Sequence, residues 1–258
     1  MRKTVITEAA SSTSNLIDSE VIEIRHLYKS FGDHQVLQDL NLTLCEEENL
    51  VVLGKSGSGK SVLIKCIVGL IPMDLGEIYV LGKNVAMLER DELDKLRRKI
   101  GFLFQWGALY DSMTVRENLC FPLRKHSRLS KQEISIKVEA VLESVGLPEA
   151  VELMPSELSG GMKKRIALAR TLMLDPKIIL YDEPTSGLDP ITAKEISELI
   201  RRVQSQHHTA SMIITHDMDC AKITGDRIVI LSHGTNYAQG TYAKLSQFSD
   251  PKVKGFFL

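Results

Sequence analysis

Four cysteines in 258 residues, Cys45, Cys66, Cys120 and Cys220, are scattered without a C-x-x-C pair. That excludes the usual zinc and disulfide frameworks and leaves the thiols to be read as reduced. No apolar run approaches the roughly 20 residues a membrane-spanning helix needs, so no segment of the chain is expected to cross a bilayer. Charge of one sign is also lacking, since 32 basic residues face 33 acidic ones for a net charge of -1 at pH 7. Nothing therefore demands a polyanionic partner, and no basic patch interleaved with aromatics points to nucleic acid. Residues 1–19 are rich in Ser and Thr but have no continuous apolar stretch of the secretory kind, and they are expected to form a disordered tail. What remains is ordinary for a folded protein, with 43% hydrophobic and 25% charged residues, enough to bury one large core or two small ones.

Against that background the stretch Val51-Val52-Leu53-Gly54-Lys55-Ser56-Gly57-Ser58-Gly59-Lys60-Ser61 stands out. A strand-like run breaks into a glycine-rich turn and then a helical pattern. Such a turn can aim consecutive backbone N–H groups at an anion, aided by the positive end of the helix that follows. Lys60 adds a charge for the β- and γ-phosphates of a nucleotide, and Ser61 a hydroxyl for a bridging Mg²⁺, the division of labour expected of G-x-x-x-x-G-K-[ST]. The competing reading is an ordinary Gly/Ser loop that happens to end in lysine.

The rest of the chain arranges itself around this loop. Residues 21–24 and 35–44 alternate like antiparallel strands, and Tyr28 between them is placed either to stack on an adenine ring or simply to pack. Residues 62–70 have helical spacing, 76–80 return to strand, and 91–99 form a charged surface helix. The strand beginning at Ile100 runs to Gln105, either a buried strand end or a residue that reaches the Mg²⁺ and the γ-phosphate, with an apolar loop after it that meets a partner. Two helical patterns follow at 114–126 and 130–145 with no strand between them, the first interrupted by Pro122. Ser159-Gly160-Gly161 opens the next helix as a cap or as a second anion site. Lys177 to Pro184 reads as a buried parallel strand ending in Asp182 and Glu183. Asp182 is suited to hold Mg²⁺ and Glu183 to orient or deprotonate the attacking water, the alternative being capping or solvated carboxylates. A turn ends at Asp189-Pro190, where a helix starts. A further buried strand ends at His216, a candidate sensor of the γ-phosphate. Residues 227–232 supply a last strand, and Gln239 onward a terminal helix.

In this order the motifs resemble the ATP-binding subunits of ABC transporters over residues 20–258. The resemblance implies an α/β fold: a RecA-like P-loop core with a mixed, mostly parallel sheet, an N-terminal antiparallel β subdomain, and an α-helical subdomain inserted at about 107–165. It implies an ATPase using ATP and Mg²⁺, with Tyr28 at the adenine, Ser61, Gln105 and Asp182 at the metal, and Glu183, His216 and Gln105 at the chemistry. It implies a homodimer in which Ser159, Gly160, Gly161 and Asp189 act in trans on the other copy's nucleotide. Partners would be integral-membrane permease subunits, with the chain peripheral on the cytoplasmic face of the inner membrane and no nucleic acid involved. Within the family, residues 103–111 with 121–123, 154–162 and 250–258 are most similar to ATPases of MCE-linked, Mla-type phospholipid systems. That adds a possible MCE-type lipid-binding protein to the partners. Met162, where most of the family has glutamine, fits that branch. The alternatives are an ABC ATPase serving another importer or exporter, and a soluble ABC assembly ATPase with no permease.

Overall fold

The computed structural model describes residues 19–126 and 129–257; of the tail expected over residues 1–19, all but Ser19 lies outside them. The chain opens with a long antiparallel hairpin, β1 (Glu20–Phe31) and β2 (His34–Cys45), and enters the interior at β3 (Asn49–Leu53). Next come α1 (Lys60–Ile67), β4 (Leu75–Val80), the short β5 (Lys83–Asn84), α2 (Arg90–Arg97) and β6 (Ile100–Leu103). Helices α3 (Val115–His126), α4 (Lys131–Ser144) and α5 (Gly160–Leu172) follow, then β7 (Ile178–Asp182), α6 (Pro190–His207) and β8 (Ala210–Thr215). The chain finishes with α7 (Met218–Thr224), β9 (Arg227–Ser232), β10 (Thr235–Gly240), α8 (Tyr242–Ser246) and α9 (Pro251–Lys254).

Two sheets result. One is antiparallel, in the order β2-β1-β4-β5, and the other runs β10-β9-β3-β8-β7-β6, parallel throughout except where β10 turns back on β9. Strand periodicity explains why the larger sheet is buried on both faces. Leu50, Val52, Leu180 and Met212 point into the core that holds α1 and the antiparallel sheet. Their neighbours Val51, Leu53, Tyr181 and Ile213 point into the other core, shared with α5, α6 and the helical segment. Among the described residues no strand lies between Leu103 and Ile178, and the inserted helices bury Val115, Leu119, Val138 and Leu142 against Ile166 of α5.

Three local expectations change. Helix α3 continues through Pro122 rather than breaking there, giving up one ladder bond inside an otherwise packed helix. The strand from Ile100 ends at Leu103, so Gln105 belongs to the loop beyond it. Residues 235–240, not read as a strand, form β10, because His233 (φ 49°) and Gly234 (φ 73°) make a turn with two left-handed residues that folds the chain back on β9.

Candidate functional site

All four strands β3, β6, β7 and β8 point the same way, so the loops leaving their carboxyl ends meet at one rim of the sheet. The loop after β3 passes between the sheet and the β1–β2 hairpin. Gly59, at φ 102°, caps α1, and a Cβ there would lie 2.9 Å from Leu37 Cδ2 and 3.0 Å from the Val36 carbonyl oxygen. Glycine is demanded twice over, by the backbone angle and by the room.

Lys60, first residue of α1, is buried and folds back over its own loop. Its Nζ donates to the carbonyls of Gly54 at 2.7 Å and Lys55 at 3.2 Å and sits 3.4 Å from Glu183 Oε1. The Ser61 hydroxyl donates to Asp182 Oδ1 at 3.2 Å. Gln105 Nε2 donates to Ser186 Oγ at 3.1 Å. His216 places Nδ1 2.9 Å from Glu183 Oε2, and its backbone N–H donates to the same oxygen at 3.4 Å. Glu183 is bent to reach these partners: its φ of 50° is left-handed, a conformation costing about 1–3 kcal/mol in a non-glycine residue. Adjacent in sequence, the two carboxylates thus take different jobs, Asp182 toward the serine hydroxyl and Glu183 between a lysine and a histidine.

Apart from Asp182, which adjoins it through Ser61 without lining it, these side chains surround a cavity of about 330 Å³, lined by Ser56, Gly57, Gly59, Lys60 and Ser61 from the loop, by Gln105, Glu183 and His216 opposite, and by Val36 from the hairpin. Burial raises the Asp182 carboxyl above its ordinary range, a shift that the Ser61 hydrogen bond opposes and the Glu183 charge reinforces. A desolvated carboxylate beside a hydroxyl is a hard-oxygen pair suited to a divalent cation. Among the described residues no three His, Cys, Asp or Glu side chains cluster as a metal cage. The Ser61–Asp182 oxygen pair would suit Mg²⁺, a cation that takes one or two protein oxygens and completes its shell with phosphate and water.

Not every expected residue comes here. Gly54, Lys55 and Ser58 shape the loop from behind, Gly54 lying so close that a Cβ would be 2.5 Å from Ser58 Oγ. Tyr28 does not line the cavity. A register shift between Arg25 and Tyr28 pairs it with Leu75 of β4, in the middle of the antiparallel sheet, and the hairpin residue that reaches the cavity is Val36. Ser159, Gly160, Gly161 and Asp189 are also absent from the lining. Ser159 caps α5 by accepting from the Met162 N–H at 3.2 Å, Asp189 caps α6, and the two helix starts touch where Gly161 approaches Thr192. The buried Lys164 was not singled out in the sequence. Its Nζ donates to the carbonyl of Gln105 and, at 3.4 Å, to that of Glu183. Burial depresses its pKa while the charges of Asp182 and Glu183 oppose the shift.

The pattern that defines the family described as "ABC transporter" matches residues 37–186. The chain is 39% identical over 257 residues to the chloroplastic protein TRIGALACTOSYLDIACYLGLYCEROL 3 of Arabidopsis thaliana, covering 93% of this chain and 74% of that protein. It is 37% identical to the intermembrane phospholipid transport system ATP-binding protein MlaF of Haemophilus influenzae, covering 93% of this chain and 91% of the relative. It is 34% identical to the methionine import ATP-binding protein MetN of Brucella abortus, covering 97% of this chain and 66% of the relative. Among solved structures, the ATP-binding cassette MJ0796 in a dimeric post-hydrolysis state with ADP and Pi superposes with a TM-score of 0.77 at 32% identity, covering 85% of this chain and 98% of that one.

Proposed function

This chain belongs to the ABC transporter family as an ATP-hydrolysing subunit, and we propose that it couples ATP hydrolysis to the movement of phospholipid through a partner permease. The observation that carries the catalytic part is the convergence of Lys60, Ser61, Gln105, Glu183 and His216 on one cavity at the carboxyl ends of four parallel strands.

In this reading the loop amides and Lys60 hold the β- and γ-phosphates, and Ser61 and Asp182, joined by Gln105, hold Mg²⁺. The metal, when bound, neutralises charge on the phosphate oxygens. Glu183 takes the proton of the attacking water and His216, hydrogen-bonded to it, fixes the carboxylate and reports on the γ-phosphate. Lys60 Nζ lies 3.4 Å from Glu183 Oε1, so a phosphate held by the loop would compete with that carboxylate for the ammonium. Ser159 and Gly160, exposed at the start of α5, the buried Gly161 beside them, and Asp189 serve the cavity of a second copy.

Force would leave the molecule through its exposed apolar side chains. Trp106 is 80% exposed, Phe104 and Tyr110 lie near it in sequence, and the Tyr110 ring meets that of Phe121 of α3 at 4.7 Å with a tilt of 48°. A patch of this kind on the loop that follows β6 suits a short cytoplasmic helix of a permease. Lipid as the cargo is supported by likeness to the Haemophilus relative, whereas the Brucella relative is named for methionine import.

Two measurements test the reading. Glu183→Gln is expected to bind ATP with near-normal affinity and release phosphate about 10²–10⁴-fold more slowly; normal turnover removes Glu183 as the base. Purification of the chain with its permease, followed by mass spectrometry of the co-extracted small molecules, is expected to return phospholipid. A complex that holds amino acid or metal instead overturns the lipid assignment and leaves the ATPase intact.

A further inference from the structure

Lys164 lies in the second turn of α5, two residues past Met162, and is only 6% exposed. A lysine is rarely buried without a compensating arrangement. Its ammonium meets two main-chain carbonyls, those of Gln105 and Glu183, and both lie just past the last paired residues of β6 and β7, where the parallel ladder has run out. The contacts close into a ring. Gln105 Nε2 donates to Ser186 Oγ at 3.1 Å, the Ser186 N–H donates to the Glu183 carbonyl at 3.2 Å, and Lys164 joins that carbonyl back to Gln105. Six residues on, Arg170 donates to the carbonyls of Ala108 at 2.8 Å and Gly107 at 3.0 Å, so α5 grips the same loop at both ends.

We propose that Lys164 is a positioning residue that fixes Gln105 and Glu183 to one point on α5, so that any movement of the Ser159 end of that helix is transmitted to the base and to the Gln105 loop. The proposal rests on the reading of Glu183 as the base. Lys164 does not touch the loop amides or Lys60, which hold the phosphates in that reading, and it meets Gln105 only at its main-chain carbonyl, so its loss changes the rate of the chemical step and largely spares nucleotide binding.

The test is Lys164→Met, with Lys164→Arg as the conservative partner. ATP binding by calorimetry is expected to stay within about 3-fold of wild type in both, while kcat falls at least 10-fold in Lys164→Met, about 1.4 kcal/mol of barrier, and recovers to within about 3-fold in Lys164→Arg. A second readout needs no nucleotide. Amide hydrogen exchange in Lys164→Met should speed up at Gly107 and Ser186, while the amides of residues 168–172 keep wild-type protection. Wild-type kcat in Lys164→Met, unchanged exchange at Gly107 and Ser186, or exchange that rises equally along α5 overturns the proposal. A wild-type chain that ignores ATP removes the reading beneath it and leaves the exchange experiment still able to decide the clamp.

Discussion

Asp182 is half-buried at the end of β7, and burial, before any other influence, holds its pKa up. The sign of the consequence follows from linkage. Because the folded chain binds this proton more tightly than the unfolded one, ionised Asp182 is a cost to stability that develops as pH rises through the unfolded value near 3.9 and is complete above the folded one. Asp182→Asn is therefore expected to raise the melting temperature of the nucleotide-free protein by a few degrees at pH 7.5. The gain should shrink toward pH 4. The same substitution should abolish the extra stabilisation that MgATP gives over ATP with chelator. A lower melting temperature in the variant at pH 7.5 would contradict the desolvation argument. Residues such as Lys60, Asp182, Glu183 and His216 were legible because each stands where a strand-like run breaks off, so one dimension of sequence suffices to place them at the rim. Val36 and Lys164 were not legible: a valine in an alternating strand and a lysine among basic neighbours acquire their roles only through contacts with loops remote in sequence.

At the scale of elements, the two helix starts that carry Ser159 and Asp189 are locked by one close approach. A Cβ on Gly161 would lie 2.6 Å from Thr192 Cγ2. Thr192 cannot simply rotate away, because its hydroxyl donates to Asp189 Oδ2 at 2.6 Å and its N–H to Asp189 Oδ1 at 3.1 Å, the bonds that cap α6. Gly161→Ala should therefore cost about 1–3 kcal/mol by overpacking, or a fall in melting temperature of about 2–10 °C for a domain this size. Adding Thr192→Ser removes the methyl and keeps the hydroxyl, so the double variant should regain most of the loss. If Gly161→Ala melts like wild type, or Thr192→Ser brings nothing back, the two helices do not meet in this way. The element reading from sequence was strongest where apolar periodicity was strong, as in β3, β7, β8 and α5. It failed at β10, where Ala238 alone is buried among polar residues, and the signal was a histidine-glycine turn. It failed again at Pro122, where tertiary packing of Leu119 and Leu123 overrides the proline.

For the whole molecule the decisive question is whether Ser159 and Gly160 serve their own chain or the cavity of a second copy. One chain encloses its cavity on the side of Lys60 and Glu183, while Ser159 and Gly160 stand exposed at the start of α5 and line no part of it. Two copies arranged head to tail would bring the exposed helix start of each over the open cavity of the other, an isologous pairing in which every site is composite. That arrangement makes a prediction that no single-chain site can imitate. Lys60→Ala disables the cradle but keeps the α5 start; Ser159→Arg keeps the cradle but blocks the α5 start. Each homodimer should be inactive. Mixed in equal amounts and allowed to exchange, half of the dimers become mixed pairs, and each of these rebuilds one intact site from the cradle of one chain and the helix start of the other. Phosphate release should then recover to roughly a quarter of the wild-type rate, if the two sites turn over independently. Should the mixture stay as inactive as its components under conditions where subunit exchange is verified, Ser159 works within its own chain or not at all, and the two-copy mechanism has to be abandoned.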